Sequence, residues 1–109
     1  MKAMFVYVTA SSRQEALSIG RTLVSERLAA CANVLDGMTS VYWWQQSLQE
    51  DGEASLILKT RSDLIERLTA RIKQLHSYDC PCVVAMPIAA GNPAYLDWIA
   101  GETATPAEA

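Results

Sequence analysis

Ala30-Cys31-Ala32-Asn33-Val34-Leu35-Asp36-Gly37-Met38-Thr39-Ser40-Val41-Tyr42-Trp43-Trp44-Gln45-Gln46 decides the fold, because it reads as strand along nearly its whole length. Asp36-Gly37 interrupts it once, which predicts a bend or bulge. The aromatic half, Val41 to Trp44, suits a pleated and partly buried surface. Asp51-Gly52 then gives a hairpin signal, and on the return strand Ala54, Leu56 and Leu58 alternate with Ser55, Ile57 and Lys59. A long central hairpin is the result.

Working outward, residues 3 to 9 form a first strand with Val6 and Val8 on one face and Phe5 and Tyr7 on the other. Ser12 with Glu15 three residues on is a capping-box signature, and Ala16, Ile19, Gly20, Leu23 and Val24 follow at helical spacing, predicting a helix over about 12–28. Thr60 or Ser62 can cap a second helix over about 62–76, with Leu64, Ile65, Leu68, Ile72 and Leu75 as its core stripe and an Asp63–Arg67 pair on its outer face. Cys82 to Ala90 reads as a fourth strand whose Pro87 belongs at an edge or bulge. Asn92-Pro93 opens a short third helix carrying Tyr95, Trp98 and Ile99. Residues 1–100 thus make one domain, and the tail from Gly101 to Ala109 is expected to be disordered. The order βαββαβ plus a terminal helix is the ferredoxin-like α+β arrangement, an antiparallel four-stranded sheet with two helices on one face. Its hairpin is too long and too aromatic for a lone sheet of this size, so its edges must be covered or paired with another chain.

Composition narrows the function classes. The chain has 109 residues, half of them apolar, which suits one folded domain. Twelve acidic residues against nine basic give a net charge of -3, and no basic cluster exists to neutralise phosphates, so nucleic acid and anionic membranes are not expected partners. No apolar run reaches the roughly 20 residues that span a bilayer. The short apolar stretch after Lys2 does not read as a signal peptide, and three cysteines without framework spacing fit free thiols, so a cytoplasmic location is expected.

Cys80-Pro81-Cys82 with His76 just upstream is the sharpest local constellation. Thiolate and imidazole donors suit Cu(I) or Zn(II), and residues two apart on an extended chain project to one side. The same cysteines also serve as small apolar residues where the second helix meets the fourth strand. Cys31 could act as a nucleophile only with a base, and His76 is the only histidine, so a small ferredoxin-like enzyme or hydrolase using Cys31 and His76 is the alternative reading. The first loop, Thr9-Ala10-Ser11-Ser12, has no thiol pair of the metallochaperone kind.

Arg27-Leu28-Ala29-Ala30-Cys31-Ala32-Asn33-Val34, Ser40-Val41-Tyr42-Trp43-Trp44, Leu58-Lys59-Thr60, His76-Ser77-Tyr78-Asp79-Cys80-Pro81 and Tyr95-Leu96-Asp97-Trp98-Ile99 occur in that order. Together they resemble the CutA divalent-cation tolerance proteins, over nearly everything from residue 3 to residue 100. In the pattern His-Pro-Tyr-Glu-x-Pro-Glu typical of that family, His76, Tyr78 and Pro81 match, while Ser77, Asp79 and Cys82 replace Pro, Glu and Glu. The resemblance implies a non-enzymatic homotrimer, PII-like in architecture, whose long hairpins extend the neighbours' sheets, linked to tolerance of divalent cations including copper. It places Tyr42, Trp44, Lys59, Tyr78 and Trp98 around a cleft between subunits, where they would hold a small ligand or form the seam itself. No obligatory cofactor is implied. A divalent or soft metal ion, copper or zinc, is the candidate ligand, with His76, Cys80 and Cys82 as candidate donors. Trp43 faces a neighbour or solvent.

Overall fold

The computed structural model describes residues 2–103. Its elements are β1 (Ala3–Ala10), α1 (Arg13–Ser25), β2 (Cys31–Trp44), β3 (Ser47–Arg61), a 3-10 turn (Ser62–Leu64), α2 (Ile65–Leu75), β4 (Val83–Pro87) and α3 (Pro93–Gly101). The four strands form one antiparallel sheet in the order β2-β3-β1-β4. Strand alternation sorts the residues into two faces. Val6, Val8, Ala10, Ala54, Leu56 and Leu58 point to one face and are buried with Ala16, Ile19 and Leu23 of α1 and Leu68 and Ile72 of α2. Gly20 lets α1 lie close on the sheet, because a Cβ there would come within 3.0 Å of the Ala32 Cβ and 3.1 Å of the Leu56 Cδ1. The far ends of the helices are tied by a two-pronged bond in which Arg71 donates from Nε to Glu26 Oε1 and from a terminal guanidinium nitrogen to Glu26 Oε2, each at 2.9 Å.

Several boundaries differ from the expectation for identifiable reasons. Ser12 caps α1 as expected, accepting from the Glu15 N–H, but the helix stops at Ser25 because Arg27 turns into the left-handed region at φ 64°. The hairpin turn is not at Asp51-Gly52. Those residues lie within β3, opposite Ser40 and Thr39, and the turn is Gln45-Gln46, with φ 51° and 66°. Two consecutive positive φ values are the primed two-residue turn whose twist matches a hairpin. Neither Thr60 nor Ser62 caps α2: the Thr60 hydroxyl donates to the Leu28 carbonyl, and the Ser62 hydroxyl accepts from the Lys2 N–H. Asp63 pairs with Arg61, at 3.4 Å. β4 is shorter than expected, although Pro87 does sit on an edge strand. The bulge falls at Asp36-Gly37, where the register shifts between Leu35 and Met38 and Gly37 has φ 80°. Asn92 caps α3 by accepting from the Ala94 N–H. Of the segment from Gly101 expected to be disordered, Gly101 closes α3, Glu102 binds Arg27, and Thr103 is buried with its hydroxyl donating to Ile99. Residues 104–109 lie outside the described residues.

The hairpin outruns the sheet. β1 pairs with β3 only over Ala54–Arg61, so residues 38–53 form a two-stranded ribbon beyond the core, and the molecule is 43 Å long against 27 and 23 Å in its other dimensions. One face of this ribbon carries Val41, Trp43 and Leu48, exposed by 60, 72 and 60%. The other carries Tyr42, Trp44, Asp51 and Glu53, as the register of the pairs dictates.

Candidate functional site

The site is built where β1 ends, the ribbon begins and the chain leaves α2. Its foundation is Glu15. This carboxylate accepts from the Ser11 N–H (2.9 Å) and Ser11 hydroxyl (2.8 Å) on one oxygen and from the Ser77 N–H (2.9 Å) on the other. The capping box is therefore shifted, reaching Ser11 and spanning to the loop after α2. Burial works against the ionised form, but the bonds from Ser11 and Ser77 outweigh it and hold the carboxyl down at about 2.

His76 caps the end of α2 with a side chain that is fully buried. Its Nε2 lies 2.7 Å from the Thr9 carbonyl, and its Nδ1 accepts from the Tyr78 N–H at 3.1 Å. A carbonyl only accepts, so Nε2 carries the proton and donates, and both ring nitrogens are engaged. The ring also lies against Tyr78, centroids 4.7 Å apart. Tyr78 then reaches across to the ribbon, where its hydroxyl donates to Glu53 Oε2 at 2.7 Å. Burial first, and the bond to Glu53 second, push the Tyr78 phenol well above its usual value. Next along the ribbon, the Tyr42 hydroxyl donates to Asp51 at 2.8 Å, and that bond, ahead of burial, raises the Tyr42 phenol.

Between these groups lies a pocket of about 450 Å³, within the size range of small-molecule sites. Tyr42, Trp44 and Glu53 line it from the ribbon, Thr9 from β1, and Tyr78, Asp79, Cys80 and Cys82 from the loop into β4. The structure thus brings together Tyr42, Trp44 and Tyr78 of the expected cleft residues, along with both candidate thiols. It does not bring Lys59 or Trp98 to this pocket within one chain. Lys59 donates to Asn33 at 2.8 Å, lies 3.9 Å from the Cys31 sulfur, and sits over the Tyr95 ring at 5.9 Å. Trp98 lines a separate hollow with Arg27 and Glu102.

The candidate metal donors separate as well. Cys80 and Cys82 are exposed at the pocket, whereas His76 has no nitrogen left to offer without breaking a bond to Thr9 or Tyr78. Among the described residues no group of three or more His, Cys, Asp or Glu side chains is arranged to hold a metal ion. Two thiols alone suit a soft ion and do not fit a hard divalent one, which takes six or more oxygen ligands. The Cys31 and His76 of the alternative hydrolytic reading do not meet. Cys31 shares its sheet row with Lys59 and Phe5, and Thr9, which His76 binds, is four residues, roughly 13 Å, further along β1. Residue patterns missed Glu53 and Thr9. Glu53 closes the acidic run Glu50-Asp51-Gly52-Glu53 just before the alternation that starts at Ala54, and nothing in that run singles it out.

An antiparallel α+β sandwich with a long hairpin and an aromatic, acid-lined pocket at its base defines the ferredoxin-like class of fold, from which no particular reaction follows. Comparison with known proteins is specific. The CutA1 divalent ion tolerance protein family matches residues 4–102. A CutA protein of Oryza sativa, named as chloroplastic, is 43% identical over 93% of this chain and 57% of its own length. The divalent-cation tolerance protein CutA of Thermus thermophilus is 46% identical over 90% of this chain and 95% of its own. The crystal structure of CutA1 from Oryza sativa superposes with a TM-score of 0.92 at 41% identity, covering 95% of each chain. The chain belongs to the CutA1 divalent ion tolerance family. It spans little more than half the length of the plant relative. Among the described residues no helix is long and apolar enough to cross a membrane.

Proposed function

We propose that the chain is a non-catalytic, homotrimeric binding module of divalent-cation tolerance, working in the cytoplasm, that takes a small ligand in the pocket between Tyr78 and the ribbon. The bare ribbon carries this reading. A two-stranded ribbon is marginal in water by itself, and this one presents Val41, Trp43 and Leu48 on one side and an unpaired edge on β2. Pairing with a neighbour's sheet removes both liabilities at once. A closed three-fold ring lets every ribbon do so equivalently. The pocket at the ribbon's base then lies beside a subunit seam, so assembly and ligand binding are linked in an architecture that resembles the PII-like proteins.

Copper or zinc enters this account through Cys80 and Cys82, the two exposed thiols at the pocket, with His76 holding Tyr78 and Thr9 in place. Three free cysteines agree with a reducing compartment. The test is native mass across dilution for the parent chain and Trp43→Glu. The parent is expected at three chain masses down to micromolar concentration and the variant at one. A parent monomer at micromolar concentration contradicts the proposal.

A further inference from the structure

We infer that the pocket takes a small organic cation, an amine or quaternary ammonium compound, and that it excludes anions; this rests on the pocket being the ligand site proposed above. Among the described residues the charged side chains that line it are Glu53 and Asp79, both acidic, and no Lys, Arg or His side chain joins them. Its phenol protons are already committed, Tyr78 to Glu53 and Tyr42 to Asp51. An anion entering the pocket therefore meets two carboxylates and no free phenolic donor. Lys59, the cation an anion would seek, is held elsewhere by Asn33, and both ring nitrogens of His76 are taken by Thr9 and Tyr78.

The walls favour the opposite charge. Tyr42 and Trp44 from the ribbon and Tyr78 from the loop after α2 offer aromatic surface to the cavity, and aromatic faces attract a cation through the ring quadrupole. Tyr78 fixes Glu53 by one oxygen, Oε2, so the carboxylate is oriented while its charge remains. A volume of about 450 Å³ exceeds what a bare metal ion fills and matches an organic molecule.

The experiment is calorimetric titration of the full chain in its native assembly with spermidine, choline and glutarate, at low and at moderate salt. Spermidine or choline should bind with one site per chain and glutarate should not. Glu53→Gln and Asp79→Asn should each weaken the cation at least about threefold, and Trp44→Leu at least threefold as well. Asp97→Asn, which removes the same charge from exposed α3, should change nothing, and this separates the pocket from general electrostatic attraction. Native mass and thermal midpoint, recorded for every variant, separate a lost contact from a lost fold, and Asp79, being exposed, is the variant least able to disturb folding. Glutarate binding that Trp44→Leu abolishes, without cation binding, overturns this inference while leaving the pocket as the ligand site. It would mean that a neighbouring subunit supplies a cation. Failure of all three probes to bind at millimolar concentration, or cation binding equally weakened by Asp97→Asn, overturns the inference and, in the first case, the pocket reading too.

Discussion

Replacing Glu15 by Gln should remove about 2 kcal/mol of stability at neutral pH and flatten the protein's acid sensitivity. The carboxyl drops from its ordinary 4.5 to about 2, which corresponds to about 3.4 kcal/mol at about 1.36 kcal/mol per pH unit. Glutamine keeps one carbonyl acceptor for Ser11 or Ser77, and the side chain is 15% exposed, so the loss is reduced to about 2 kcal/mol. The sign follows from proton binding. Below 4.5 the unfolded chain takes up a proton that the folded chain still refuses, so the stabilisation is complete above 4.5 and disappears as pH falls towards about 2. Urea unfolding of parent and variant, at equal chain concentration because the proposed assembly would contribute to stability, gives the difference at pH 7 and at pH 2.5. The gap should be about 2 kcal/mol at pH 7 and well under 1 kcal/mol at pH 2.5. A gap below 0.5 kcal/mol at pH 7, or one of equal size at both pH values, refutes the assignment of Glu15 as the ionised tie between the α1 cap and the loop at Ser77, on the scale expected for bonds to a charged group.

Tyr78→Phe removes only the hydroxyl bond to Glu53 and should cost about 1 kcal/mol in thermal or urea unfolding, since Glu53 can turn to water at the pocket; no measurable loss would show the bond to be incidental. Trp43→Ala should weaken assembly by about 3 kcal/mol per subunit, because a tryptophan buries roughly 200 Å² at about 25 cal/mol per Å² and most of this one lies bare; a dissociation midpoint unmoved by the change would place the seam elsewhere. Cys80→Ser with Cys82→Ser should lower zinc affinity at least tenfold by calorimetry, and the parent's affinity should fall with pH as protons compete for the thiolates; unchanged affinity in the double variant would put the ion outside the pocket.

Most of the fold was legible because it rests on local rules that residues state openly. Ser12 and Asn92 are short polar caps, Asp36-Gly37 marks the bulge, and the stripes Ala16–Leu23 and Leu68–Ile72 have helical spacing. The turn was missed because Gln45-Gln46 carries no glycine or asparagine cue, while Asp51-Gly52 does and yet lies in β3. There the continuous pairing of β2 with β3, which runs on from Met38–Glu53 to Trp44–Ser47, overrides turn preference. The site was half legible. Tyr42, Trp44, Tyr78 and the two thiols do share a pocket, but the reach of Glu15 to Ser77 and of Tyr78 to Glu53 spans 62 and 25 residues, a distance no local pattern encodes. His76 shows the same limit: a lone histidine beside cysteines suggests a ligand, and only the fold reveals that Thr9 and the Tyr78 amide use both nitrogens.

The proposed trimer is tested most directly by amide hydrogen exchange along the ribbon. β2 is an edge strand within one chain, so those of its amides that point away from β3 have no partner unless a neighbour supplies one. At micromolar and higher concentration, alternate amides between Met38 and Trp44 should be protected on both edges of β2, and protection on the outer edge should vanish on dilution below the assembly midpoint while the β1–β3 core stays protected. Rapid exchange of the outer-edge amides at every concentration would contradict the account, leaving the ribbon bare in solution.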